Sequence, residues 1–192
     1  MNNLLFATNN PHKLTEIREI LEPRFNILSL KDIHCADELP ETQNTLEGNA
    51  LQKAQYVYDK YHFNCFADDT GLEIEALNGA PGVFSARFAG NKCTYDDNVN
   101  KVLHLLENLA NRKARFRTVI ALILNKKIHF FEGTVEGHIL QERKGTSGFG
   151  YDPIFVPHGT CKTFAEMTSA EKNIISHRGL ALNKLTQFLI KA

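Results

Sequence analysis

Residues 3–30 read NLLFATNNPHKLTEIREILEPRFNILSL, and this stretch decides the fold class. Leu4, Leu5, Phe6 and Ala7 form a short apolar run that suits a buried strand. Asn10 and Pro11 then make a helix start: an amide that can cap, followed by a ring that fits the first helical position. Leu14, Ile17 and Leu21 follow at helical spacing, and residues 25–30 return as a strand. Strand, helix, strand predicts a parallel pair joined by a crossover helix, hence an α/β fold.

The pattern extends outward from there. Asn44 and Glu47 have the spacing of a capping box ahead of a helix whose apolar stripe is Leu46, Ala50, Ala54, Val57 and Tyr61. Residues 63–67 read as a strand that stops at Asp68-Asp69-Thr70-Gly71. Leu72, Ile74 and Ala76 alternate with Glu73 and Glu75, which predicts a further strand before the Asn78-Gly79 turn. Val99, Val102, Leu103, Leu106 and Leu109 mark a third helix. Residues 116–124 and 128–141, on either side of Lys126-Lys127, predict an antiparallel hairpin bent at Gly133 and Gly137. Leu182, Leu185 and Leu189 close the chain as a helix. With no linker, repeat or low-complexity segment, the expectation is one α/β domain over residues 1–192 with a mixed sheet.

Composition narrows the function classes. The chain has 192 residues, 43% of them hydrophobic, with 22 basic residues against 22 acidic ones. That length carries one substantial core, and a balanced charge does not suit wrapping duplex nucleic acid. The longest later apolar run, residues 119–124, is far short of a membrane span. Cys35, Cys65, Cys93 and Cys161 are scattered without a Cys-x-x-Cys pair, which argues against a zinc cage. The opening residues lack the pattern of a secretory leader. The expectation is a cytoplasmic protein with neither a nucleic-acid nor a membrane partner.

Polar residues collect at the ends of the apolar runs. Thr8-Asn9-Asn10-Pro11-His12-Lys13 joins the first strand to the first helix; it is either a capped turn or a phosphate site built from helix N–H groups and a lysine. Asp68 and Asp69 follow an apolar strand and are either a solvated turn or hard oxygen ligands suited to Mg²⁺. Adjacent strand residues point to opposite faces, so both ligate only if the strand is already turning, as Gly71 would allow. Glu41, Asn49 and Lys53 form either a wet helix face or the remainder of a metal and phosphate site. Residues 145–153, GTSGFGYDP, bring glycines for close backbone approach and the rings of Phe149 and Tyr151, which suit either core packing or a purine. Thr168 and Glu171 have capping-box spacing, Ser176 can cap the next helix, and Lys172, His177 and Arg178 remain as donors near helix starts.

Taken together, TNN-x-x-K at 8–13, ETQNTLEGNA at 41–50, ADDTGLEI at 67–74, GAPGVFSAR at 79–87, GFGYDPIF at 148–155 and AEKNIISHR at 170–178 resemble the inosine triphosphate pyrophosphatase family, in the family's order. Members of that family hydrolyse non-canonical purine nucleoside triphosphates. The resemblance implies an elongated fold around a long mixed β-sheet flanked by helices, two lobes with an active-site cleft between them, and a homodimer. It implies that Thr8, Asn9, Asn10, Pro11, His12, Lys13 and Lys53 bind phosphate. Glu41 and Asp69 would hold Mg²⁺ with Asp68 in or beside the metal shell, and Asp69 would be the general base. Thr70, Phe149, Gly150, Tyr151, Asp152, Lys172, His177 and Arg178 would bind the nucleotide, the last two reading the base. Asn9 stands where the family often has Gly, and Asn tolerates left-handed backbone angles better than most residues. The implied reaction is Mg²⁺-dependent hydrolysis of ITP, dITP or XTP to the monophosphate and pyrophosphate. Two rivals follow from the same residues: a relative acting on pyrimidine or modified nucleotides, and a sensor that binds nucleotides without turnover. The His-Arg pair and the 149–152 loop count against the first; Glu41, Asp68 and Asp69 together count against the second.

Overall fold

A computed structural model describes residues 3–22 and 24–191. In chain order the elements are β1 (Asn3–Phe6), α1 (Pro11–Leu21), β2 (Asn26–Leu28), α2 (Leu46–Tyr61), β3 (Cys65–Ile74) and α3 (Tyr95–Leu105). Then come β4 (Lys113–Leu124), β5 (Lys127–Ile139), β6 (Phe155–Pro157), α4 (Ser169–Ile175) and α5 (His177–Lys191). The strands hydrogen-bond in the order β2-β1-β3-β4-β5-β6. β1 runs parallel to both β2 and β3, whereas β5 and β6 are antiparallel, so the sheet is mixed and the class α/β. The β-α-β start is present as expected, with Leu4 opposite Ile27. Among the described residues no helix is long and apolar enough to cross a membrane.

The chain divides into two compact units. The first comprises Met1–Asp69, Thr118–Gly133 and Arg178–Ala192. Strand alternation gives this unit two apolar layers. Leu4, Phe6 and Phe66 pack with Ile17, Leu21, Leu182 and Leu185 of α1 and α5; Phe6 and Phe66 stack at 4.8 Å. Leu5, Ala7, Cys65 and Ala67 pack instead with Ala54 and Val57 of α2. The second unit comprises Thr70–Arg117 and Thr134–His177. Its single core gathers Leu72 and Ile74 of β3, Val99 and Val102 of α3, Phe116 of β4, and Phe155 and Phe164.

Several boundaries differ from the sequence expectation, each for a local reason. β3 does not stop at Asp68; it runs unbroken through Asp68-Asp69-Thr70-Gly71 to Ile74. Gly71 is not a turn: a Cβ there would sit 2.7 Å from the Gly82 carbonyl oxygen, so glycine serves a close approach. β2 ends at Leu28 because the Asp32 carboxylate takes both the Ser29 N–H and its hydroxyl at 2.7 Å, drawing the chain into a 3-10 turn. α2 is capped by Thr45, whose hydroxyl accepts the Gly48 N–H at 3.0 Å, one residue later than the expected Asn44. α3 begins with a capping box at Thr94 and Asp97 and ends at Leu105, so Leu109 lies outside it, exposed. The β4–β5 turn is Asn125-Lys126, both at positive φ, one residue earlier than the lysine pair. The Thr168–Glu171 capping box is as expected.

Gly137 of β5 lies opposite Pro157 of β6, and a Cβ at Gly137 would come within 2.3 Å of the Val156 carbonyl oxygen and 2.6 Å of the Phe155 ring. Gly137→Ala therefore forces the two strands apart, with an expected loss of about 1–3 kcal/mol. Urea unfolding measures it, and an unchanged midpoint would contradict the close approach.

Candidate active site

The charged centre follows from the pleat of β3. Phe66 and Asp68 share one face, and Ala67 and Asp69 share the other. Asp68 therefore points where α1 and α5 pack. Its Oδ1 accepts from Lys13 Nζ at 3.0 Å and its Oδ2 from Arg178 Nε at 3.3 Å. Arg178 also donates to Glu16, one turn after Lys13 on α1. Asp69 points toward α2. Its Oδ2 accepts from Asn49 Nδ2 at 3.0 Å, and its Oδ1 lies 3.9 Å from Lys53 Nζ. Lys53 Nζ is also hydrogen-bonded to Glu41. Five segments distant in sequence thus converge in the first unit, and the wet-face reading of Asn49 and Lys53 is overturned: they are 0% and 5% exposed.

So many buried charges are tolerable only because each carboxylate meets a cation. Burial alone would raise the Asp68 carboxyl, but Lys13, Arg178 and Lys53 overcome it and hold Asp68 well below the usual carboxylate range. Asp69 goes the other way. Burial outweighs the pull of Lys53 and Lys13, Glu41 adds repulsion, and its carboxyl is raised above the ordinary value. For Lys13 burial wins over Asp68 and lowers the ammonium; for Lys53 the attraction of Asp69 and Glu41 exceeds burial and raises it. Glu41 is lowered by Lys53 against its own desolvation. Neighbouring carboxylates in one strand therefore differ in character: Asp68 is a fixed counter-charge and Asp69 a stronger base.

The segment 8–13 behaves as a capped turn. Asn10 Oδ1 accepts the N–H groups of His12 at 3.0 Å and Lys13 at 3.3 Å, and Thr8 Oγ1 accepts that of Asn10 at 3.2 Å. The helix N–H groups expected to await an anion are engaged by this cap, so the segment's charge for a phosphate is the Lys13 ammonium. Asn9 does not use the left-handed region. Its side chain instead donates to the Asp37 carbonyl and accepts the Leu39 N–H, both at 3.0 Å, tying the turn to the segment before Glu41. Pro11 and His12 are exposed.

The other expected residues lie mainly in the second unit. Asp152 is buried and accepts from Lys172 Nζ at 2.7 Å and from the Phe149 N–H at 2.9 Å. Gly148, at positive φ, has room for that carboxylate only because it lacks a Cβ, which would sit 2.1 Å from Asp152 Oδ2. The Lys172 ammonium lies 5.1 Å from the half-buried Phe149 ring. Tyr151 belongs to the core, its hydroxyl donating to the Ser85 carbonyl at 2.9 Å. His177 is buried and stacks on Phe116 at 4.5 Å. Gly150, at positive φ, and Thr70 are half-buried. Arg178 is placed with Asp68 and Glu16 in the first unit rather than with this group. Glu16 and Phe116 carried no motif; the i, i+3 spacing of Lys13 and Glu16 on α1 was the available signal for the former.

The donor set suits a small, hard divalent ion. Mg²⁺ uses one or two carboxylates and leaves its other positions to water and phosphate. The Lys53 ammonium is hydrogen-bonded to Glu41 and lies 3.9 Å from Asp69, and burial raises the Asp69 carboxyl. Asp68, held by Lys13 and Arg178, is less available. Among the described residues no group of three or more His, Cys, Asp or Glu is placed to hold a metal ion.

The chain is similar to known proteins along nearly its whole length. The sequence profile of the Ham1 family matches residues 4–188. A protein of Porphyromonas gingivalis named dITP/XTP pyrophosphatase is 55% identical over 193 residues, covering 100% of both chains. One of the same name from Flavobacterium johnsoniae is 53% identical and covers 97% of each. Among solved structures, a HAM1 protein from Coxiella burnetii superposes with a TM-score of 0.91 at 39% identity, covering 100% of both chains. A nucleoside-triphosphatase / dITP/XTP pyrophosphatase from Mycobacterium abscessus gives 0.77 at 40% identity, covering 95% of this chain and 98% of that one.

The opposite shifts of the two aspartates predict opposite effects on stability. Asp68→Asn leaves Lys13 and Arg178 without their buried counter-charge and should cost about 3–5 kcal/mol. Because Asp68 is lowered in the folded state, its contribution is full above the unfolded value of about 4 and is lost as pH falls toward the folded one. The acid limb of the stability curve should flatten in Asp68→Asn. Asp69, raised on folding, binds its proton more tightly in the folded state, so its ionised form opposes folding at neutral pH. Asp69→Asn, which leaves Lys53 paired with Glu41, should be as stable as the parent or more so. Thermal unfolding between pH 3 and 8 decides, and equal destabilisation by both substitutions would contradict the assignment.

Proposed function

The chain belongs to the Ham1 family, and on that footing we propose that it hydrolyses the non-canonical purine nucleotides dITP, XTP and ITP to the monophosphate and pyrophosphate. Full-length relatives above 50% identity that bear the name dITP/XTP pyrophosphatase support the substrate class. The observation that carries the chemistry is the charged set in which Lys53 joins Glu41 to Asp69 while Lys13 faces Asp68.

In this reading water attacks the α-phosphorus. Such a displacement needs alignment and charge neutralisation rather than a covalent intermediate. Asp69 takes the proton of the attacking water. Lys13 and Lys53 stabilise the negative charge that builds on the leaving pyrophosphate. Asp68 holds the Lys13 ammonium and the Arg178 guanidinium in place. Glu41 and Asp69 would hold Mg²⁺, which supplies positive charge against the triphosphate.

Base selection follows from donor and acceptor matching. Hypoxanthine and xanthine present a carbonyl oxygen at C6, where adenine presents an amino donor. A donor from His177 pairs with the oxygen and leaves adenine's amino group facing a like group, an unpaired arrangement that is costly when buried. A homodimer, on the family resemblance, and a cytoplasmic location, on the composition and the scattered cysteines, complete the proposal.

Steady-state pyrophosphate release from ITP, dITP, XTP and ATP, with and without a chelator, tests the reading. The first three should exceed ATP in kcat/KM by at least about 100-fold, and chelation should abolish release from all. Asp69→Asn should lose turnover while still binding nucleotide. Comparable turnover of ATP would contradict the base assignment, and near-normal turnover in Asp69→Asn would remove Asp69 from the mechanism.

A further inference from the structure

Asn49 is a wholly buried polar side chain on α2 to which the mechanism above gives no part. Its Nδ2 donates to Asp69 Oδ2 at 3.0 Å, and its Oδ1 accepts the Gln43 N–H at 2.9 Å. The neighbouring residues of that loop are held from the same helix. Gln52 accepts the Thr42 N–H at 2.9 Å and donates to the Thr42 hydroxyl at 2.8 Å, while Lys53 binds Glu41. Helix α2 thus grips residues 41, 42 and 43 one by one. Asn49 does so with the same amide that reaches across to β3.

We propose that Asn49 is a positioning residue for the pyrophosphatase reaction: it fixes the rotation of the Asp69 carboxylate and locks the Glu41 loop to it. The inference rests on the functional reading above. A carboxylate turns easily about its terminal torsion, yet here one oxygen must face the reacting centre on every cycle. With Oδ2 held by Asn49, Oδ1 is the oxygen turned toward Lys53. An amide is suited to this because it donates and accepts at once without carrying charge. A cation in its place would neutralise Asp69 and weaken it as a base. With both ends bonded and no exposure to water, the amide has no competing partner to turn toward.

The test uses the full chain with Asn49→Leu and Asn49→Ala. Leucine keeps the volume and alanine the helix propensity; each removes both hydrogen bonds without placing a charge beside Asp69. Groups that orient metal-binding or catalytic carboxylates are worth about 10–100-fold in activity or metal affinity. Both variants should lose about that much in kcat on dITP, with KM changed by less than about threefold, and Mg²⁺ binding by calorimetry should weaken about tenfold or more. In an Asp69→Asn background, Asn49→Leu should change the residual turnover by less than about twofold, because no carboxylate remains to be aimed. If leucine prevents folding, the alanine variant decides alone. A kcat within about twofold of the parent, or an equal loss in the Asp69→Asn background, overturns the proposal. Should the parent chain itself release no pyrophosphate, the functional reading falls; unchanged Mg²⁺ affinity in the variants would then overturn the positioning role as well, and a weakened one would uphold it.

Discussion

Two adjacent carboxylates on one uninterrupted strand are the constraint around which the first unit is arranged. The β pleat forces Asp68 and Asp69 to opposite faces, and neither face is open to water, so each must find compensation in a different layer. Asp68 finds it in Lys13 and Arg178, from the helices that follow β1 and open the C-terminal segment. Asp69 finds it in Asn49 and Lys53 of α2. Because burial of an uncompensated charge costs several kcal/mol, these pairings tie α1, α2 and α5 to β3 more specifically than their apolar faces alone would.

The asymmetry between the two faces is what makes the cluster chemically useful. Two cations on Asp68 keep it ionised and inert across the ordinary pH range. Burial, with a neighbouring Glu41, raises the Asp69 carboxyl against the pull of Lys53, Lys13 and the Asn49 amide. The energy by which ionised Asp69 opposes folding is the same energy that raises its affinity for a proton.

Much of this was legible in the sequence, and the misses have physical causes. The β-α-β start, the Asn10 cap and the Thr168–Glu171 capping box are local hydrogen-bonding patterns, and they read correctly. The continuity of β3 was missed because Asp-Asp-Thr-Gly looks like a turn to any local rule; only the distant cations Lys13, Lys53 and Arg178 make those carboxylates compatible with a buried strand. Asn49 and Lys53 looked like a wet helix face for the same reason, since their partners Asp69 and Glu41 come from other segments. Arg178, adjacent to His177, read as part of a donor pair; its link to Glu16 is separated by 162 positions, and no motif records it. The family resemblance named the residues that gather, but not which cation meets which carboxylate.

The cluster is proposed to direct water to the α-phosphorus of a non-canonical purine triphosphate. Turnover of dITP in ¹⁸O-labelled water, with the products separated and weighed by mass spectrometry, shows which phosphorus is attacked. The label should enter dIMP, leaving pyrophosphate unlabelled. Label in pyrophosphate, or release of orthophosphate as the first product, would contradict it.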